Sequence, residues 1–183
     1  ETAENVASKH GVKREDQDAF AIESQRRAVA AQKAGAFDRE IAPVLVKKGK
    51  IEETFAKDEC PREDTTLEKL AKLQPVFRKG GSVTAGNSSP INDGSAAVLL
   101  ASEEAVKKSG LTPLARVVSY AVAAVEPNTM GEGPIPATKK ALAKAGISGD
   151  AIDHVELNEA FAAQSLAVIR DLEKEKIDPE KVN

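Results

Sequence analysis

The sequence predicts an α/β chain: strands and helices alternate around a mostly parallel sheet in the second half, after a mainly helical, irregular module in the first. Three observations predict it. From residue 90 onward, short apolar runs alternate with charged helical patterns, the signature of βαβ units. Of the 183 residues, 41% are hydrophobic, enough for a buried core. Alanine supplies 30 residues while aromatics supply only 3%, so the interior closes by bringing backbones and small side chains together, as stacked layers do.

Residues 2–10 read as a short helix closed by Gly11, and residues 14–34 as a long one. Glu15, Asp16 and Asp18 sit at the positive end of the second helix and Lys33 precedes the terminating Gly35, although Lys13 is a poor N-cap. Residues 41–46 have strand composition, but Pro43 cannot donate to a ladder, so they form an edge strand followed by the turn Lys47-Lys48-Gly49-Lys50. Thr65 and Glu68 match a capping box, and Leu67, Leu70 and Leu73 share one face, predicting a helix over 66–74 that Pro75 stops. Residues 80–90 have neither period and form a loop. Beyond it the pattern predicts a buried strand at 95–101, a helix from Ser102 to Gly110 and a long strand at 115–125. A helix at 135–145 closed by Gly146, a strand at 154–157 and a helix at 161–173 follow.

Lys and Arg number 26 against 29 Asp and Glu, a net charge of -3. Such a chain has no global attraction for nucleic acid or anionic membrane, so any anionic ligand is held locally. The single cysteine, Cys60, excludes an internal disulfide and every multi-cysteine zinc site, and fits a reducing, cytoplasmic location, with an organelle matrix also compatible. No stretch approaches the roughly 20 apolar residues of a membrane-spanning helix, and Glu1-Thr2-Ala3-Glu4-Asn5 is not a signal peptide. Met130 is the one methionine, so the sequence is read as a processed or internal stretch of a longer protein.

Ligands of such sheets bind beyond the carboxyl ends of strands. Three segments qualify. The small, hydroxyl-rich loop 84–89 around Gly86 allows close backbone approach, or is a plain turn. Met130-Gly131-Glu132-Gly133-Pro134 is too short for a dinucleotide fingerprint and reads as a helix entry with Pro in the first turn. In Leu157-Asn158-Glu159-Ala160-Phe161, Asn158 is either a helix N-cap or an amide that holds a water or an oxyanion. Glu159 is either a general base or an acid complementing the helix dipole, and Phe161 starts an apolar stripe. His10 and His154 lack partners at metal-ligand spacing, so no metal site is expected. Asp58 and Glu59 beside Cys60 make it a poor nucleophile.

Several of these motifs are collinear with one family. Thr-Ala-Glu-Asn-Val-Ala at 2–7, Asp58-Glu59 with Pro61-Arg62, Leu70-Ala71-Lys72-Leu73 with Pro75 and Phe77, and Val83-Thr84-Ala85-Gly86-Asn87 come first. Ile91-Asn92-Asp93-Gly94, Met130-Gly131-x-Gly133-Pro134 and Asn158-Glu159-Ala160-Phe161-Ala162 follow. Together they resemble the thiolases, acyl-coenzyme A acyltransferases, over essentially the whole chain.

The resemblance implies a thiolase-like fold of αβαβα layers, represented by the coenzyme-covering loop domain (1–89), the end of the N-terminal core domain (90–113) and the first half of the C-terminal core domain (114–183). It implies a reaction that makes or cleaves acetoacetyl-CoA or another 3-ketoacyl-CoA through a cysteine-linked acyl intermediate. Coenzyme A and acyl-CoA are then substrates, with no permanently bound cofactor, and the parent is a homodimer or homotetramer. Asn158 matches the asparagine that orients a water at the thioester oxygen. Ala160 and Phe161 match tunnel-lining residues, while Phe77, Ala85 and Ser89 match coenzyme contacts. Leu73 and Arg62 match positions near the adenine and its phosphate, and Met130 one near the acyl thioester. The family's nucleophilic cysteine precedes the part matching residue 1, and its catalytic histidine and second cysteine follow the part matching Asn183. Cys60 matches neither cysteine, so the isolated chain is expected to be inactive. Pro90 replaces a Gly common in relatives, and Lys69 replaces a Ser. A second reading is a non-catalytic thiolase-like module that binds coenzyme A or lipid, or an inactive piece.

Overall fold

The computed structural model describes residues 1–93 and 97–183. Its elements are α1 (Thr2–His10), α2 (Arg14–Lys33), β1 (Val44–Lys48), β2 (Ile51–Phe55), α3 (Leu67–Ala71), α4 (Glu103–Ser109), α5 (Pro134–Ala145) and α6 (Ala162–Leu172). They form two compact units, Glu1–Pro90 with Asn158–Ala167, and Ile91–Leu157 with Val168–Asn183.

In the first unit, α1 stops where the sequence predicts. Gly11 takes φ 61, a left-handed conformation that a side chain resists, and the N–H of Val12 returns to the Ala7 carbonyl at 2.9 Å. No side-chain cap stands at Lys13, whose N–H instead donates to the Asp16 carboxylate at 3.4 Å. Beyond α2 the expected edge strand is one arm of an antiparallel hairpin. β1 starts after Pro43, runs through Lys48 and pairs with β2 from Val44↔Phe55 to Lys48↔Ile51. Gly49, at φ 67, opens the two-residue connection. The sequence hides β2 because Glu52 and Glu53 interrupt its apolar pattern; in the hairpin they meet Lys47 and Lys48 at 3.3 and 3.0 Å.

α3 is shorter than its apolar face suggests. Its cap is Thr66, whose Oγ1 accepts from the Lys69 N–H at 3.3 Å, while Thr65 Oγ1 donates to the Arg62 carbonyl. The helix ends at Ala71, and Arg14 Nη2 reaches across from α2 to bind the carbonyls of Leu70 and Leu73 there, at 2.6 and 3.1 Å. The core of this unit is built from Ala3, Val6, Ala7, Val12, Val83, Ala163 and Ala167, with Phe161 and Leu166 against them. Small side chains bring α1 and α6 into close approach, as the alanine content requires.

The second unit packs Ile135, Val168, Leu172 and Ile177, with Leu142, Val155 and Leu157 alongside. α4 is capped by Ser102, which accepts from Ala105 N–H at 3.2 Å, and closed by Gly110 at φ 61; α5 opens at Pro134 and is closed by Gly146 at φ 67. Two strand expectations are corrected. Part of 95–101 lies outside the described residues, and among the described residues 97–101 join no ladder, with Val98, Leu99 and Leu100 79–89% exposed. Residues 115–125 join no ladder among the described residues either. Over 119–125 they keep the alternation of a strand, with Ser119, Ala121, Ala123 and Val125 half-buried and Tyr120, Val122 and Ala124 exposed. Ser119 Oγ fastens the segment to the Ala141 carbonyl of α5 at 2.8 Å, and Lys144 lies 4.4 Å over the Tyr120 ring. The predicted strand at 154–157 shrinks to a parallel bridge, Val155↔Val182, on a partner the sequence does not announce; α6 stands between the two in the chain.

Candidate functional site

The candidate residues of the first unit gather around the loop 82–90, and a buried carboxylate holds its start. Glu4 of α1, 3% exposed, accepts the backbone N–H groups of Ser82 and Val83 at 2.9–3.0 Å and the Ser82 hydroxyl at 3.1 Å. Three donors satisfy the buried carboxyl group. Gly81 must be glycine here, because a Cβ would collide with the Glu4 carboxylate.

The loop then folds on its own side chains. Asn87 Oδ1 accepts from Thr84 N–H at 2.8 Å, Thr84 Oγ1 from Gly86 N–H at 3.1 Å, and Ser88 Oγ donates to the Thr84 carbonyl at 2.7 Å. Asn87 Nδ2 donates to Asp18 Oδ1 at 3.0 Å and to the Ser82 carbonyl at 3.1 Å. Arg14 pairs with the other Asp18 oxygen at 2.7 Å. One guanidinium thus links the loop, through Asp18, to the carbonyls of Leu70 and Leu73. A Cβ on Gly86 would collide with Leu70 and come within 2.7 Å of Leu73, so loop and α3 pack with no room for a side chain.

The 158–162 segment lies along the far side of this loop. Ser88 and Phe161 form an antiparallel bridge, Ser89 N–H donates to the Ala160 carbonyl and Ala162 N–H to the Asn87 carbonyl, both at 3.0 Å. Phe161 also meets Phe77 edge to face, with centroids 6.1 Å apart. Phe77, Ser89, Ala160 and Phe161 are therefore brought together, with Leu73 held against Gly86 and the exposed Ala85 in the same loop. α6 begins at Ala162, so Asn158 is not its cap; the Asn158 side chain is exposed and has no hydrogen-bond partner among the described residues. Glu159 lies outside the first turn of α6, and its Oε2 accepts from the Ser24 hydroxyl of α2 at 2.6 Å. Ser24, Gln25, Phe20, Gly86, Ser88 and Glu159 line an open cavity of about 160 Å³.

Arg62 is exposed at the edge of this unit, its backbone N–H donating to Gln25 Oε1 at 2.7 Å. Nearby, Lys69 Nζ pairs with Asp64 at 2.6 Å and holds that carboxyl below its ordinary value, with a smaller push from Arg62. Lys69 is thus engaged by a carboxylate. Met130 lies in the second unit, exposed, in the 3-10 turn Pro127–Glu132, and its carbonyl accepts from Gly133 N–H just before Pro134 starts α5.

Sequence reading missed Glu4, Arg14, Asp18 and Ser24. α2 looks polar all round, yet Arg14, Gln17, Asp18, Ala21, Ser24 and Gln25 recur at helical spacing and form its inward face. The packing stripe is present in the sequence but written in hydrogen-bonding residues.

A family model for the thiolase N-terminal domain matches residues 1–104, and one for the thiolase C-terminal domain matches residues 111–183. The mitochondrial 3-ketoacyl-CoA thiolase of Bos taurus is 53% identical over 182 residues, 100% of this chain and 45% of its own. An acetyl-CoA acetyltransferase of Paracoccus denitrificans is 55% identical over 171 residues, 93% of this chain and 44% of its own. Among solved structures, the Bacillus anthracis acetyl-CoA acetyltransferase superposes with a TM-score of 0.93 at 51% identity, covering 100% of this chain and 46% of that one. Human mitochondrial 3-ketoacyl-CoA thiolase in complex with CoA superposes at 0.89 with 51% identity, covering 99% and 44%. The chain spans somewhat under half the length of these relatives.

Proposed function

This chain belongs to the thiolase family, with its α/β fold, and from that premise we propose that it is the coenzyme-covering and oxyanion-forming part of an acyl-CoA acyltransferase. Residues 1–89 are assigned to the loop domain, 90–113 to the end of the N-terminal core and 114–183 to the start of the C-terminal core. The substrates are coenzyme A and a 3-ketoacyl-CoA or acetyl-CoA, and one of the solved relatives is a complex with CoA. No helix among the described residues is long and apolar enough to cross a membrane. We assign the protein to a reducing compartment, cytoplasm or organelle matrix, and to a homodimer or homotetramer, the latter on the family resemblance alone.

The reaction transfers an acyl group to a cysteine thiolate and then to a second acceptor. A covalent thioester splits the exchange into two displacements, each passing through an oxyanion that needs fixed donors. Asn158 supplies one of them: its amide orients a water toward the thioester oxygen, while Ala160 and Phe161 wall the pantetheine arm. Phe77, Ala85 and Ser89 cover the coenzyme, Leu73 and Arg62 take its adenine and phosphate, and Met130 flanks the acyl group. Arg62 provides the local cation that a chain of net charge -3 requires for an anionic ligand.

The observation that carries this reading is the exposed Asn158 amide, without a hydrogen-bond partner among the described residues, beside the Ala160–Ser89 stitch, a donor held ready rather than spent on a helix cap. Coenzyme-dependent cleavage of acetoacetyl-CoA by the full-length protein, followed by loss of the 3-ketoacyl absorbance, tests it. Cleavage is expected; a folded full-length protein that neither cleaves nor condenses would overturn the reading.

A further inference from the structure

The bond between Ser24 and Glu159 joins residues 135 positions apart and belongs to none of the roles above. We propose that this pair is a positioning device that sets the Asn158 amide for turnover, an inference that rests on the reading of Asn158 just given.

Glu159 is the central residue of a three-residue turn, closed by the Ala160 N–H donating to the Asn158 carbonyl at 3.0 Å. After this turn the chain is fixed by backbone: Ala160 carbonyl to Ser89, Ala162 N–H to Asn87, and the Ser88–Phe161 bridge. At the turn itself, the Asn158 side chain has no hydrogen-bond partner among the described residues, so among those residues the Glu159 carboxylate is the turn's side-chain tether. Its partner stands on a rigid element. α2 is tied to the same loop through Asp18 and Asn87, so Ser24 stands on an element hydrogen-bonded to the loop. A hydroxyl donating to a carboxylate at 2.6 Å in a half-buried site is a strong, directional bond. Glu159 also lies three residues before Ala162, too early for a first-turn acid that merely complements the α6 dipole.

Losing the tether lets the turn rotate and displaces the Asn158 amide. A misplacement of about 1 Å in a catalytic group costs up to about 100-fold in rate. The test is steady-state thiolysis by full-length Ser24→Ala, Glu159→Ala, Glu159→Gln, the Ser24→Ala/Glu159→Ala double variant and Asn158→Ala. Ser24→Ala and Glu159→Ala are expected to lower kcat about tenfold or more with KM for acyl-CoA within about twofold. The double variant falls no further than the worse single, and Glu159→Gln, which keeps an acceptor for Ser24, recovers most of the loss. Additive losses, unchanged kcat, or a rise in KM alone would overturn the proposal. Should Glu159→Ala fail to fold, Ser24→Ala and Glu159→Gln decide the matter. If Asn158→Ala slows turnover while the Ser24 and Glu159 variants do not, the positioning role alone fails; if Asn158→Ala is silent, the reading beneath it fails as well.

Discussion

Asn87 Nδ2 donates to Asp18 Oδ1 at 3.0 Å, across 69 positions of sequence, and through that bond the loop 82–90 inherits the rigidity of α2. Asp18 is 4% exposed and its second oxygen receives Arg14. Removing the carboxylate costs the buried Asn87 amide one of its two acceptors and leaves the largely buried Arg14 guanidinium without its counter-charge, so Asp18→Ala is expected to destabilise the protein by about 3 kcal/mol. Chemical denaturation of the full-length protein measures this, and a loss under about 1 kcal/mol would mean that water replaces the carboxylate.

Gly86→Ala places a methyl against Leu70 and Leu73. The Leu70 and Leu73 side chains, or the loop itself, must then shift, at about 1–3 kcal/mol of stability. Because Leu73, Ala85 and Ser89 shift with it, KM for coenzyme A is expected to rise more than kcat falls, as initial rates over a coenzyme titration will reveal.

Arg62→Ala removes a cation on an exposed surface and leaves the core untouched. A charge-assisted phosphate contact of about 1.5 kcal/mol corresponds to roughly a tenfold rise in KM for coenzyme A with kcat unchanged. Coenzyme A lacking its 3′-phosphate should be indifferent to the substitution; equal loss with both forms would place Arg62 elsewhere.

In the second unit, burial works against the Asp171 carboxylate, but Lys139 and Lys174 outweigh it and hold its pKa below the ordinary value. Lys139 Nζ stands 3.0 Å from Asp171 Oδ1, an ion pair rather than a well-directed hydrogen bond, and its own pKa is raised by Asp171 and Glu175. A carboxyl whose folded pKa is depressed stabilises fully above its unfolded pKa, about 4, and loses that contribution as pH falls through the folded value. Tm should therefore drop between pH 5 and pH 3, and more shallowly in Lys139→Met; parallel curves would exclude the pair as a source of acid sensitivity.

Helices were legible wherever local chemistry decides them. Gly11, Gly110 and Gly146 end their helices at the positions the pattern marks, each in the left-handed conformation. Strands were less legible, because a ladder is a property of two segments. Residues 119–125 keep their alternation yet have no ladder partner among the described residues, and Val155 finds Val182, which no periodicity connects to it. Within the site, the motif residues Phe77, Ser89, Ala160 and Phe161 converge. The supports beneath them, Glu4, Arg14, Asp18 and Ser24, stayed hidden because a polar or charged residue in a helix reads as solvated until its partner, 56 to 135 positions away, is seen.

The claim that this chain carries the oxyanion donor of an acyltransferase stands or falls on Asn158. The decisive measurement is kcat for thiolysis by the full-length Asn158→Ala variant, with its Tm and its affinity for coenzyme A measured alongside. A fall of roughly 100-fold or more with stability and affinity retained is the result expected for a lost oxyanion donor; an unchanged kcat would contradict it.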